Sequence, residues 1–334
     1  MRLVTRTITL LWLLAACAGT RGVTLADTPN SSASTGDFPT KPVRIIEPFG
    51  AGGGPDLLAR ALAPELSGLW GQPVTVENHP GAEATAAPAL VAKSPADGYT
   101  LLLNTSSQAY SAVLSKTLPY DPLNDFIPTA ALTSQPYILV AGKSAGVTSL
   151  GELVAAAKAK PGELSFASTG LGTATHLGAL KFNFEAGIKT VDVLPRPSDS
   201  IADVLAGTIE GRTSYMFAPS SITLSPIRDG RLLPLGVSTA RRSTLLPEVP
   251  TIGEAGVAGF DFPFWYGLWV PTGTPVRVVD KLAKDTARAL AEPNMREWLA
   301  KHGADPMNMT QPEFVRFVHG ESESAARLIK SSAP

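Results

Sequence analysis

The chain has 334 residues, 44% of them hydrophobic and 17% charged, with Lys+Arg 28 against Asp+Glu 29 and a formal net charge of −1. That length suits two domains of ordinary size, and the composition carries no collagenous or disordered bias. With no excess of positive charge and no basic stripe, nucleic acid and anionic membrane surfaces are excluded as electrostatic partners.

The first element is a short basic region, Arg2 and Arg6, followed by the apolar run Ile8 to Ala16. A membrane-spanning helix needs roughly 20 apolar residues, so this run fits a secretory signal peptide instead. Two cleavage readings stand side by side. Leu14-Ala15-Ala16-Cys17 has the form of a lipobox, which would make Cys17 the lipidated first residue and tether the exported chain to a membrane. Thr24-Leu25-Ala26 has the form of an ordinary cleavage site, leaving Asp27 first. The lipobox is preferred because the single cysteine of the chain sits there, and because Ala18 to Asp37 reads as a polar tether. Residues 1–26 are thus the signal region and 27–37 the tether. Without a second cysteine, no disulfide forms within the chain.

From Val43 onward, short apolar runs with strand character alternate with helical patterns. Val43–Ile46 is a strand closed by Pro48 and the glycines Gly50 to Gly54. A helix then runs from Pro55 or Asp56 to about Leu69, with proline suited to its first position and Pro64 inside it. Val74–Val76 and Tyr99–Leu103 are further strands, and the segments around 126–131 and 137–141 complete a first α/β unit. Ser149 opens a helix with Glu152 three residues on, as in a capping box. Leu164–Ala167 leads through the glycine-rich 168–173 into a helix carrying His176. Strands follow at Val191, Tyr215, Leu232–Val237 and Gly267–Val270, and helices over 276–290, 295–302 and 312–330 end the chain. This alternation implies an α/β fold of parallel sheets covered by helices.

Three loops stand at strand ends, where open parallel sheets bind ligands. Phe49-Gly50-Ala51-Gly52-Gly53-Gly54-Pro55-Asp56 joins a strand to a helix N-terminus. Its glycines permit positive φ and let N–H groups converge where the helix dipole favours an anion. Against this stands a plain tight turn, for which fewer glycines suffice. Ser168-Thr169-Gly170-Leu171-Gly172-Thr173-Ala174-Thr175-His176 repeats the arrangement with hydroxyls added. There His176 is either a ring N–H aimed at the same mouth or an ordinary structural histidine. Asn104-Thr105-Ser106-Ser107 is a third polar mouth.

Rival chemistries fare worse. A P-loop needs Gly-Lys-Ser/Thr, which the first loop lacks. A dinucleotide fold gains Glu77 as its ribose acid but meets Pro55 at its third glycine. Gly142-Lys143-Ser144-Ala145-Gly146 matches the pattern of a serine-hydrolase elbow, yet the capped helix begins only at Ser149 instead of directly after Ser144. No His-Glu-x-x-His or Cys/His cluster points to a metal.

At these residues the chain resembles the Bug receptors, the extracytoplasmic solute-binding components of tripartite tricarboxylate transporters. The pieces that carry the likeness span about 38–330 in family order. They include Phe38-Pro39 with Lys41-Pro42-Val43-Arg44, the glycine loop, Gly71-Gln72-Pro73-Val74 to Asn78, and Pro80-Gly81-Ala82. Asp97-Gly98-Tyr99-Thr100-Leu101, Leu118 to Pro122, Asp125-Phe126, and Ser168 to Leu177 come next. Leu246-Pro247 with Val249-Pro250-Thr251, Glu254-Ala255-Gly256, and Pro271 with Gly273-Thr274-Pro275 close the series.

The resemblance implies a two-domain, type II-like periplasmic binding protein with a ligand cleft between parallel-sheet domains, here 38–141 with 270–334 and 142–269. It implies a small carboxylate as ligand, membrane permease subunits as partners, a periplasmic location, and neither enzyme activity nor cofactor. Ligand-binding residues carried over are Phe49, Ala51, Gly52, Gly53 and Gly54, then Thr105, Ser106 and Ser107, then Ser168, Gly172, Thr173 and His176. The chain departs from the family at Gly50, at Pro55, at Glu83-Ala84-Thr85 and across 195–217. Arg196 and the aromatics Phe264, Trp265 and Tyr266 would suit a larger or aromatic acid, unless the aromatics are core. A sensory or scaffold protein of the same fold, and an exported serine hydrolase, are the alternatives to transport.

Overall fold

The computed structural model describes residues 38–332 apart from 82–83, 115–117, 171–172 and 196–199. The signal region, Cys17, the tether, Gly172 and Arg196 lie outside the described residues. From Pro39 onward the chain builds one continuous ten-stranded sheet with helices packed on it.

Strand β1 (Val43–Glu47) pairs in parallel with β2 (Val74–Asn78) and with β3 (Thr100–Thr105). Helix α1 (Gly54–Trp70) joins β1 to β2, α2 (Ala86–Ala92) joins β2 to β3, and α3 (Ser107–Leu114) follows β3. All six residues of β3 are buried, as expected of a strand covered on both faces. The proline at the start of α1 lacks the N–H that would have no partner there, and Gly71, at φ 63, caps the other end.

Strand β4 (Phe126–Gly142) is the longest in the fold. The short 3-10 turn Lys143–Ala145 and Gly146, at φ 65, carry the chain to α4 (Leu150–Ala159). Ser149 caps α4 by accepting the Glu152 N–H. The Glu152 carboxylate reaches back to the N–H and hydroxyl of Thr148 (2.6 and 2.9 Å), one residue short of the expected capping box. After β5 (Ser165–Ala167), α5 (Ala174–Ala186), β6 (Val191–Val193), α6 (Ile201–Ile209) and β7 (Tyr215–Pro219), α7 (Ser220–Arg228) follows directly. Strand β8 (Leu232–Val237) then pairs with β4. Parallel pairing recurs in β5 with β6 and β7.

The expectation of parallel sheets thus holds for β1–β3 and for β5–β7. The strands between them run the other way: β9 (Pro263–Pro271) is antiparallel to both β3 and β4, and β4 is antiparallel to β7 and β8. Residues 126–136 of β4 pair with β9, and residues 137–142 pair with β7 and β8. The pairing therefore changes partner at Pro136/Tyr137, and β9 joins the β1–β3 side from Pro263. The sequence reading divided the chain at 141/142 and 269/270, where glycine and proline punctuate it. Strand β4 ends at Gly142 and β9 two residues after Trp269, and β-bulges interrupt the register near Pro128, Ala131 and Leu139.

Helices α8 (Val276–Ala291), α9 (Pro293–His302) and α10 (Gln311–Ser332), with the short β10 (Asp305–Pro306), return to the β1–β3 side. Val278, Val279, Leu282, Thr286, Ala289 and Leu290 form the buried stripe of α8, a spacing that keeps one helix face on the sheet. Trp70 donates to Asp285 at 2.8 Å, tying α1 to α8. Phe314 of α10 sits edge-on to Trp265 at 5.8 Å. On the other side Ile138, Val140, Ala167, Leu205, Met216 and Val237 form a separate core. The chain passes between the two sides where Tyr137 and Phe262 meet Ser238. The Ser238 hydroxyl accepts the Tyr137 N–H (2.9 Å) and donates to the Phe262 carbonyl (2.6 Å).

Candidate functional site

Helices start close after the ends of β1, β3, β5 and β7, at α1, α3, α5 and α7. At the first, only Gly52 has a positive φ (82). Gly53, at φ −74 and ψ 165, is extended backbone, so the positive φ expected of the glycine run is confined to one residue. Gly50, Ala51 and Gly52 are exposed.

Much of this loop is already tied down by the chain's own carboxylates. Asp56 accepts the Gly52 N–H (2.9 Å) and Glu47 accepts the Phe49 N–H (2.8 Å). The Gly53 N–H goes to the Gly50 carbonyl (3.3 Å). Asn78 of β2 donates through one nitrogen to Glu47 and to Asp56 (2.9 Å). Arg60 donates to Asp56 (2.8 Å) and to the side-chain oxygen Oδ1 of Asn78 (2.9 Å). The amides of Gly50, Ala51 and Gly54 have no partner among the described residues, so they remain available to an incoming anion. Gly54 is needed for another reason too: a Cβ there would lie 2.5 Å from the Tyr266 hydroxyl. That hydroxyl accepts from Gln135 at 3.2 Å.

The carboxyls differ in charge state. Burial pushes the Glu47 carboxyl up to about 7; the N–H of Phe49 and the amide of Asn78 oppose that, and the charge of Asp56 adds to it. Burial also works against the charge of Asp56, but Arg60, the Gly52 N–H and Asn78 outweigh it and hold this carboxyl below its ordinary value.

At the third loop, Asn104 and Thr105 belong to the end of β3, and Ser107 begins α3. Thr105 and Ser107 share a hydrogen bond of 2.6 Å between hydroxyls. The Ser106 N–H goes to Trp265, while its hydroxyl is buried with no partner. At the second loop, Thr173 caps α5: its hydroxyl accepts the His176 N–H (3.4 Å) and donates to the Gly170 carbonyl (2.8 Å). Thr175 accepts the Thr169 N–H (2.9 Å). Ser168 is fully buried. The His176 ring is turned to β6, with Nε2 at 3.1 Å from the Asp192 carboxylate, and lies against Phe166.

The sequence reading passed over the Glu47–Asn78–Asp56–Arg60 network and over Ser220. Ser220 begins α7, is fully buried, and its hydroxyl has no partner. The signals for these were an acidic residue ending the apolar run of β1 and the compact Ala218-Pro219-Ser220-Ser221 junction. Trp265, Tyr266 and Phe264 are buried in β9 and pack as core.

The rival chemistries find little support. Ser144 is exposed on the 3-10 turn, with α4 beginning only at Leu150, so no helix follows it as an elbow demands. Glu77 is forked onto Arg44 (2.7 and 2.7 Å). Among the described residues no group of acidic, histidine or cysteine side chains is placed to hold a metal ion, and no helix is long and apolar enough to cross a membrane. Two cavities lie elsewhere. One of about 870 Å³ is lined by Ala283, Ala287, Leu299 and Met307, and one of about 510 Å³ by Tyr110, Lys181, Phe262 and Glu321.

Comparison with known proteins bears on this geometry. Residues 58–333 match the tripartite tricarboxylate transporter family receptor. The chain is 32% identical to protein BugT of Bordetella pertussis over 333 residues, covering 98% of each. An R. palustris protein solved with adipate superposes with a TM-score of 0.78 at 32% identity, covering 88% of this chain and 98% of that one. MatC from Rhodopseudomonas palustris, solved with bound malate, gives 0.75 at 29% identity, covering 87% and 100%.

Proposed function

Because this chain belongs to the tripartite tricarboxylate transporter family of receptors, we propose that it is a periplasmic solute receptor that captures a small carboxylate and presents it to a membrane permease. The observation that carries this reading is the likeness, over nearly the whole chain, to two binding proteins solved with adipate and with malate. Both ligands are aliphatic dicarboxylates, and the donors here suit them. The loops offer the amides of Gly50, Ala51 and Gly54, the Thr105–Ser107 pair, and the buried hydroxyls of Ser106 and Ser220.

A single helix terminus holds an exposed anion with about 0.3–1 kcal/mol, whereas micromolar capture needs about −8 kcal/mol. Donors from both sides must therefore act together, with water expelled from between them. We assign residues 39–136 with 263–332 to one lobe and 137–262 to the other, closing over the ligand. Ser168, Gly172, Thr173 and His176 belong to the second lobe's contribution, His176 through its grip on Asp192. Export, and tethering through Cys17, complete the proposal. The Cys17→Ser chain should then leave the membrane fraction, and unchanged fractionation would remove the tether.

The function is tested by melting the mature protein against acetate, malate, adipate and benzoate. A ligand at about 100 times its dissociation constant stabilises the native state by about 2.7 kcal/mol, a shift of a few degrees. A flat response to every acid would refute the reading.

A further inference from the structure

Glu47 ends β1 with none of its surface exposed, directly beneath the glycine loop. Among the described residues no cation forms a salt bridge with it, although the charge of Arg60 acts on it. Arg60 is spent on Asp56 and Asn78, and Arg44 is forked onto Glu77. The groups that face Glu47 are the Phe49 N–H, the Asn78 amide from β2, Asp56 and Arg60 from α1, and Tyr266 from β9. One of these is a second buried carboxylate, joined to Glu47 through the same Asn78 nitrogen. A buried carboxylate without a cation is unstable in its charged form, and a like charge nearby makes it more so.

We propose that Glu47 takes up a proton from solvent when a carboxylate settles on the glycine loop and returns it on release. The inference rests on the carboxylate-receptor reading above. The loop lies within two residues of Glu47, and Tyr266, whose hydroxyl leaves no room for a Cβ at Gly54, faces both from β9. An arriving anion adds negative potential at a group whose midpoint already stands at about 7. The loaded form therefore holds the proton more tightly, and linkage requires that the proton in turn favours the ligand. Glu47 acts as a positioning residue: uncharged, it still receives the Phe49 N–H and leaves the loop free of a competing charge.

Calorimetry with malate and adipate tests this on the full mature chain. Below about pH 7 affinity is level; above it the dissociation constant rises by up to roughly tenfold per pH unit, one proton per ligand. Both acids are fully ionised there, so the slope belongs to the protein. The Glu47→Gln variant separates this slope from one that arises elsewhere in the chain. It should bind with a level affinity from pH 6 to 9, and a slope that persists in it overturns the proposal. Wild-type titrations at pH 8 in two buffers of different ionisation heat count protons directly and need no variant. Uptake of a substantial fraction of one proton supports the coupling; none overturns it. Binding without proton uptake removes the coupling alone, whereas no binding by either acid removes the receptor reading and the coupling together.

Discussion

At the scale of single residues, Glu47 makes the native chain sensitive to pH even without ligand. Its folded midpoint of about 7 lies above the ordinary 4.5, so between those values the folded chain holds more proton than the unfolded one. Stability then falls as pH rises through that window and levels off above it. A shift of this size is worth on the order of 3 kcal/mol. Glu47→Gln should therefore melt a few degrees above wild type at pH 8, with the gap closing toward pH 5; equal melting curves at both values would contradict the assignment. The glycines make a second contrast. Gly52→Val forces a branched side chain to φ 82 and should cost about 1–3 kcal/mol. Gly53→Ala, at φ −74 with only the Gly50 carbonyl at 3.3 Å to give way, should cost less in the same melts. Which glycine bears the strain was not legible in the sequence. The choice depends on Asp56 reaching back to the Gly52 N–H, a contact no glycine pattern encodes. The burial of Glu47 was hidden for a like reason: a charged residue at a strand end normally faces water, and only the packing of β2 and β9 around it shows otherwise.

At the scale of elements, caps were readable and short helices were not. Ser149 opens α4 where its Ser-x-x-Glu signature places it. Helices α2, α3 and α7 are too short for apolar periodicity to rise above noise. Strand direction was also out of reach, because β4 and β9 look like any other apolar run until their partners are known. Thr173, carried over as a ligand residue, also has a structural task within its element. Its hydroxyl bridges the Gly170 carbonyl and the His176 N–H at the head of α5. Thr173→Val should cost about 0.5–2 kcal/mol of stability in denaturant titrations of the ligand-free protein, and Thr173→Ser should recover most of it. If Thr173→Val unfolds like wild type, the hydroxyl does not act as a cap.

At the scale of the whole molecule, β4 belongs to both sides of the sheet, and β9 returns the chain beside it. The proposed lobes are therefore joined by two adjacent segments, near Tyr137 and Phe262. Small-angle scattering should show a smaller radius of gyration at ligand saturation, and an unchanged value would rule out closure. The two-sided architecture was legible from the strand–helix alternation and the family resemblance. The change of partner along β4 was not, because strand pairing is set by residues far apart in sequence.

Ser238 binds both of those segments. Its N–H goes to the Tyr137 carbonyl and its carbonyl receives the Phe262 N–H, while its hydroxyl spans the same two residues. If the proposed lobes close, Ser238 would hold both connecting segments together while they bend. The amides of Tyr137, Ser238 and Phe262 should then be among the slowest to exchange with deuterium, although they sit where the chain is expected to bend. In Ser238→Ala they would exchange faster while the cores on either side kept their protection.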